Sequence, residues 1–201
     1  MAKAINSFVP FLALLICIVG AANSAATGYR SPVTTSNFVK WSCSSTTYPR
    51  LCIRTLSTFS TKIQNSPHQL ALTALNVSLD TAKSAKGFVL KLGKFKGLKK
   101  MEYKAIADCI DEMGESVDRL GDSVKELKNM GKYKGQDFMW HMSNVQTWVS
   151  AALTDDNTCL DGFAGRSLNG KIKSSIRAQV VNVAQLTSNA LALCNRFAKK
   201  N

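Results

Sequence analysis

The stretch that most constrains the fold runs from Met101 to Met130, MEYKAIADCIDEMGESVDRLGDSVKELKNM. Ile106, Ile110, Met113, Val117, Leu120, Val124 and Leu127 recur at alternating steps of three and four. At about 100° per residue they fall on one stripe of an α-helix. Asp111, Glu115, Asp118 and Asp122 take the same steps almost opposite. One helix thus carries an apolar seam and an acidic outer ridge, with Cys109 at the seam's edge, placed to tie the helix to another element. Eight of the chain's 13 acidic residues lie in this stretch (Glu102, Asp108, Asp111, Glu112, Glu115, Asp118, Asp122, Glu126), although the chain as a whole is basic. Such a ridge is either a solvated face or a negatively charged contact surface for a partner.

Residues 1–26 read as a secretory leader. Lys3 supplies the positive start, Phe8 to Gly20 is an uninterrupted apolar run, and small residues follow at Ala21, Ala22, Ser24, Ala25 and Ala26, with cleavage expected after Ser24 or Ala26. The run falls short of the roughly 20 apolar residues a membrane span needs. The mature chain, 27–201, is expected to be one secreted domain with no membrane attachment. Removal of Lys3 with the leader lowers the formal net charge from +13 to +12. A secreted protein this basic is held by polyanions, and outside the cell acidic wall or matrix polysaccharide is a better candidate than nucleic acid.

Cysteine usage agrees with export. The mature chain keeps Cys43, Cys52, Cys109, Cys159 and Cys194, an odd number, so one thiol is left over. Cys43 and Cys52 bracket a Tyr48-Pro49 turn and can close a small hairpin, but spacing alone leaves the overall pairing open. No Cys-x-x-Cys or His pair suggests a zinc site.

Ser31 to Ser36 reads as an exposed lead-in to two short helical pieces, Asn37 to Cys43 and Tyr48 to Phe59. Ser66-Pro67 then starts a helix, Ser as cap and Pro in the first turn, with Leu70, Ala74, Val77, Ala85 and Phe88 on its face to about Leu90. KLGKFKGLKK follows, within a run holding eight lysines from Lys83 to Lys104, which reads as a solvated loop or else as a segment for nonspecific polyanion binding. Asn76-Val77-Ser78 is a glycosylation sequon that requires an outward Asn76. In the central helix Gly114 and Gly121, seven apart, hint at close approach by a neighbour. Asp137 is expected to cap a third helix with Phe138, Met142, Val145, Val149 and Ala152 on its seam, Trp140 and Trp148 wedged beside it, and DDNTC ending it. Lys171 to Phe197 carries Ile172, Ile176, Val180, Val183, Leu186, Ala190 and Leu193 at helical spacing. Four long amphipathic segments with polar connections predict an all-α, up-down-up-down four-helix bundle.

Catalytic chemistry is scarce. His68 and His141 are the only imidazoles, and each sits in a helix where a surface or packing role accounts for it. No metalloprotease His pair, phosphate-cradling loop or nucleophile elbow occurs. Asp111 and Glu115 form an exposed pair whose setting does not raise a carboxylate's pKa by burial. No enzyme activity, cofactor or metal is expected.

The segment from Cys43 to Cys52 (CSSTTYPRLC), Asp108-Cys109, TWVSAALTDDNTCLDGF (Thr147 to Phe163) and LTSNALAL (Leu186 to Leu193), in that order and spacing, resemble the plant invertase/pectin methylesterase inhibitor family over essentially the whole mature chain. The resemblance implies an N-terminal helical hairpin on the bundle, disulfides Cys43–Cys52 and Cys109–Cys159, and Cys194 as the odd thiol. It also implies a target. Invertase inhibitors of the family use a Pro-Lys-Phe tripeptide that is missing here; Gly93-Lys94-Phe95 lacks the proline and lies in another connection. The SAALTDDNTCLDGF and LTSNALAL stretches look more like pectin methylesterase inhibitors, so a 1:1 complex with pectin methylesterase is expected. Inhibition of acid invertase is the rival, and a cationic wall-binding or defence protein without an enzyme target the third reading. Asp111, Glu115, Asp118 and Thr158 match positions that contact the esterase in similar inhibitors; Asp122 stands where an amide-type residue is usual.

Overall fold

The computed structural model describes residues 32–164 and 170–199; the expected leader lies outside them. Two short helices open the described chain, α1 (Pro32–Cys43) and α2 (Pro49–Leu56), followed by a 3-10 turn (Ser57–Phe59) and one α-helical turn (Ser60–Ile63). Four long helices follow: α3 (Pro67–Leu92), α4 (Lys100–Asn129), α5 (Gly135–Gly162) and α6 (Lys171–Ala198). Each long helix packs on its chain neighbours, and α3 closes the ring against α6. This is the expected up-down-up-down bundle. Among the described residues no helix is long and apolar enough to cross a membrane.

Local chemistry sets the helix starts. Pro49 occupies the first turn of α2, where a missing N–H costs nothing. Ser66 caps α3, its Oγ accepting the Gln69 N–H at 3.3 Å, with Pro67 next. Glu102 reaches back to accept the Lys99 N–H at 2.9 Å and steadies the start of α4. Gln64 and Asn65 take positive φ to turn the chain from the hairpin into α3.

The α4 seam is rotated from its sequence reading. The buried line runs through Ile106, Cys109, Met113, Ser116, Leu120, Ser123 and Leu127, while Ile110, Val117 and Val124 are half-buried at its flank. Cys109 is therefore in the seam, not at its edge. Two serines make the shift possible, because a small hydroxyl can enter a core if its hydrogen bond is met. Ser123 donates to the Arg119 carbonyl at 2.8 Å, and Ser116 has a carboxylate partner.

Other boundaries moved for similar reasons. α1 begins at Pro32, so the residues from Pro32 to Ser36 read as a lead-in are helical. α5 begins at Gly135, which places Asp137 in the first turn instead of at the cap. It also continues through DDNTC to Gly162, because Asp155 and Asp156 have inward partners. Trp140 is not a wedge; it is 63% exposed. On α3, Leu70, Ala74 and Ala85 are buried as expected, Val77 and Phe88 are half-buried, and the core face also includes Ala71, Leu75, Ser78, Ala82 and Val89. A Cβ on Gly114 would lie 3.0 Å from Lys86 Nζ of α3, so that glycine does admit a neighbour. Gly121 faces open space and does not.

Both histidines serve packing. His68 donates from Nε2 to the Leu127 carbonyl at 2.6 Å, joining α3 to the end of α4. His141 bonds through Nδ1 to Glu126 and stacks on Tyr133, joining α5 to α4.

Candidate functional site

Two disulfides frame the molecule. Cys43–Cys52 closes the α1–α2 hairpin, and Cys109–Cys159 joins α4 to α5 with the Cα atoms 4.4 Å apart. A loop of 50 residues closed by the second bond restricts the unfolded chain by about 4 kcal/mol on the chain-entropy model. Cys194 is free and fully buried, and burial pushes its thiol pKa up to about 12, so the thiolate needed for reaction is suppressed.

The structure places Asp111, Glu115, Asp118 and Asp122 on the exposed face of α4. Eleven residues of helix between the first and last span roughly 16 Å. The four are not equivalent. Glu115 pairs with Arg119 at 3.2 Å and Asp122 with Lys125 at 3.0 Å. Among the described residues no cation lies within ion-pair distance of Asp111 or Asp118. The ridge therefore offers two unpaired carboxylates and two that already have partners.

Thr158 is exposed one residue before Cys159, its hydroxyl donating to the Thr154 carbonyl at 3.0 Å. The disulfide brings it to Asp108 and Glu112 of α4 and Asp161 of α5, around a recess of about 340 Å³. None of the four ridge carboxylates lines that recess. Glu112, which does line it, was not singled out by the sequence reading; partial burial, then the charges of Asp155 and Glu115, push its pKa up. Arg119 was missed as well. It bridges Glu115 on its own helix to Asp155 of α5, at 2.9 Å from the latter, and fastens the ridge to the next helix. The i, i+4 spacing of Glu115 and Arg119 was visible in the sequence; the reach to Asp155 depends on α5 continuing past DDNTC.

Behind the ridge lies a polar network that touches all four long helices. Asp156 of α5 is fully buried; Ser116 of α4 donates to its Oδ1 at 2.8 Å and Thr187 of α6 to its Oδ2 at 3.1 Å. Ser78 of α3 meets the Thr187 hydroxyl at 2.7 Å. Burial raises the Asp156 pKa to about 7, against the lowering effect of the two hydroxyl bonds. A second polar clamp docks the hairpin: Asn189 of α6 accepts from the Tyr48 N–H and donates to the Tyr48 carbonyl, both at 3.0 Å. Arg196 adds a cation–π contact, 3.6 Å above the Trp41 ring. The TDDNTC and LTSNALAL motifs thereby acquire physical roles, since Asp155, Asp156, Cys159, Thr187 and Asn189 each join one element to another.

The Asn76 sequon lies inside α3. Its amide donates to the Leu72 carbonyl at 2.7 Å, and Ser78 is fully buried. A glycan at Asn76 would have to be attached before α3 packs. Among the described residues no group of three or more His, Cys, Asp or Glu could hold a metal ion.

Residues 37–193 match the family model described as plant invertase/pectin methylesterase inhibitor. Pectinesterase inhibitor 9 of Arabidopsis thaliana is 54% identical over 193 residues, 94% of each chain. Pectinesterase inhibitor 11 of the same plant is 50% identical over 194 residues, 94% of this chain and 95% of its own. In fold the chain is similar to a crystal structure of a mutant form of a pectin methylesterase inhibitor from Arabidopsis, with a TM-score of 0.62 at 22% identity, covering 76% of this chain and 92% of that one.

Proposed function

The chain belongs to the plant invertase/pectin methylesterase inhibitor family, and from that premise we propose that it is a secreted inhibitor of pectin methylesterase, acting in the cell wall through a 1:1 complex that covers the pectin cleft. The observation that carries this reading is its likeness, along nearly the whole chain, to proteins named pectinesterase inhibitors. The inhibitor performs no chemistry and works by excluding the polymer from the enzyme.

The contact surface is the α4 ridge, Asp111, Glu115, Asp118 and Asp122, with Thr158 of α5. A cleft that accepts polygalacturonate tolerates carboxylates, which gives an acidic docking face a physical reason. Asp111 and Asp118 have no intramolecular cation to surrender, so they can meet a cation of the enzyme without an existing ion pair being broken. The Cys109–Cys159 bond and the Arg119 bridge hold ridge and threonine in fixed relation, so little ordering entropy is lost on docking. Exposed like charges along one face steer approach more than they add affinity. Binding restrains the de-esterification of wall pectin.

Titration of the folded protein against pectin methylesterase and acid invertase in separate assays tests the proposal. Loss of esterase activity that reaches completion at equimolar inhibitor, with invertase untouched, is the expected result. Inhibition of invertase alone would move the chain to the rival target. Inhibition of neither would leave a cationic wall-binding protein.

A further inference from the structure

The connection between α3 and α4 carries a surface that the docking model does not use. Between Lys91 and Lys104 there are six lysines and one carboxylate, Glu102, which is occupied with the Lys99 N–H. All six lysines are exposed, and none is within ion-pair distance of a carboxylate among the described residues. Phe95, Met101 and Tyr103 stand among them at 60%, 58% and 61% exposure.

The connection has a defined shape. Lys94 and Phe95 donate their N–H groups to the carbonyls of Lys91 and Leu92, at 3.2 and 3.1 Å. Gly97 turns the chain at φ +91°, where a side chain would be strained. A Cβ on Gly93 would come within 3.2 Å of Ile106 Cγ2, so this turn sits hard against α4. From Lys100 the helix rises roughly 12 Å to the exposed Asp108 and roughly 16 Å to Asp111, both beyond a Debye length of about 8 Å at physiological salt. The acidic ridge therefore leaves most of the field of the lysine cluster uncancelled.

We propose that this end of the bundle binds a run of de-esterified uronates in an acidic polysaccharide. Carboxylates along the polymer pair with the ammonium groups of Lys94, Lys96 and Lys100, while sugar faces lie over the rings of Phe95 and Tyr103. Phe95 lies between Lys94 and Lys96, and Tyr103 beside Lys104, which suits a polymer that offers both charge and apolar ring face. An insertion into lipid would need a continuous apolar surface instead. The meaning of the site rests on the inhibitor reading: removing methyl esters creates carboxylates, so the surface collects the inhibitor on the product of the enzyme it blocks. A fully esterified run offers the lysines no charge.

Binding of the folded protein to immobilised polygalacturonate, to highly methyl-esterified pectin and to anionic phospholipid vesicles, without enzyme present, tests the surface. Polygalacturonate is expected to be preferred, with binding that weakens as salt is raised. The combined change Lys94→Gln, Lys96→Gln and Lys100→Gln should weaken it about tenfold, and Phe95→Ala with Tyr103→Ala should weaken it without altering the salt dependence. Lys128→Gln, Lys132→Gln and Lys134→Gln, an equal charge change at the other end of the bundle, should leave it near parental. An equal loss in the two lysine triples would reduce the effect to net charge and overturn the proposal. So would equal binding to esterified pectin, or binding to vesicles with none to polygalacturonate. Failure of the inhibitor reading shows only in the enzyme assay, and failure of this surface only in the enzyme-free one.

Discussion

Asp156→Asn should change how stability depends on pH. The wild-type carboxyl is fully buried, and its pKa is raised from 3.8 to about 7, with desolvation the largest cause and the neighbouring Asp155 charge pushing the same way. The groups that meet it from the other helices are the neutral hydroxyls of Ser116 and Thr187, the latter backed by Ser78; Arg119 reaches Asp155 instead. Because the folded pKa lies above the unfolded one, the folded protein holds a proton that the unfolded chain releases. The stability that Asp156 contributes is therefore full below about pH 4, declines as pH rises toward 7, and is lost above it. The difference between the two pKa values corresponds to about 4 kcal/mol. Against a typical total of about 5–15 kcal/mol, that is a large share.

The amide keeps the shape and removes the titration. Its oxygen can accept from Ser116, and its NH2 can donate to Thr187, whose own proton then goes to the Val183 carbonyl already 3.0 Å away. Urea unfolding of both proteins between pH 4.5 and 8, at constant ionic strength and with disulfides intact, measures the effect. The wild type should lose up to about 1.4 kcal/mol per pH unit through pH 5 to 7. The variant should be much flatter and should exceed the wild type above pH 7. A wild type whose stability is flat or rises over that interval would refute the reasoning. So would a variant that keeps the parental slope.

Asp111→Asn, Glu115→Gln and Asp118→Asn combined should slow association with pectin methylesterase and weaken inhibition with helicity unchanged, read by stopped-flow and circular dichroism; a single such change costs under about 1 kcal/mol and is a poor test. Cys109→Ser with Cys159→Ser should lower stability by about 4 kcal/mol at most, measured by denaturant unfolding, and weaken inhibition because Thr158 loses its fixed place beside α4. Asn189→Ala removes both bonds to Tyr48 and should cost about 1–3 kcal/mol, with amide exchange rising first in the α1–α2 hairpin. Cys194 should resist alkylation in the folded protein and react once it unfolds, followed by mass spectrometry.

The amphipathic repeats made the four long helices legible, and Ser66-Pro67 even marked where one of them begins. Periodicity counts apolar residues, and the rotation of the α4 seam escaped it for that reason. Ser116 and Ser123 belong to the buried line, but a serine is recognised as a core residue only when its hydrogen-bond partner is known. That partner, for Ser116, is a carboxylate in a motif read as a helix end. Asp155 and Asp156 look like terminating residues in isolation; once α4 lies alongside, Arg119 takes one and Ser116 the other, and α5 runs on.

The same dependence on partners divides the candidate site. The ridge could be drawn from α4 alone, because exposure follows from lying opposite a seam. Its two paired carboxylates were within reach too, since Arg119 and Lys125 follow Glu115 and Asp122 by four and three residues on the same helix; the second contact of Arg119, to Asp155 of α5, could not be drawn that way. Nor could the setting of Thr158, which is fixed by a disulfide spanning 50 residues of sequence. The pairing expected from family resemblance turns that long separation into a Cα–Cα distance of 4.4 Å. Two turns further along the buried line of α4 from Cys109 lies Ser116. Its small side chain fits in the buried seam and donates the hydrogen bond to Asp156 Oδ1 at 2.8 Å. Packing in the seam and the buried carboxylate therefore depend on one residue, and a bulky apolar residue at Ser116 would disturb both.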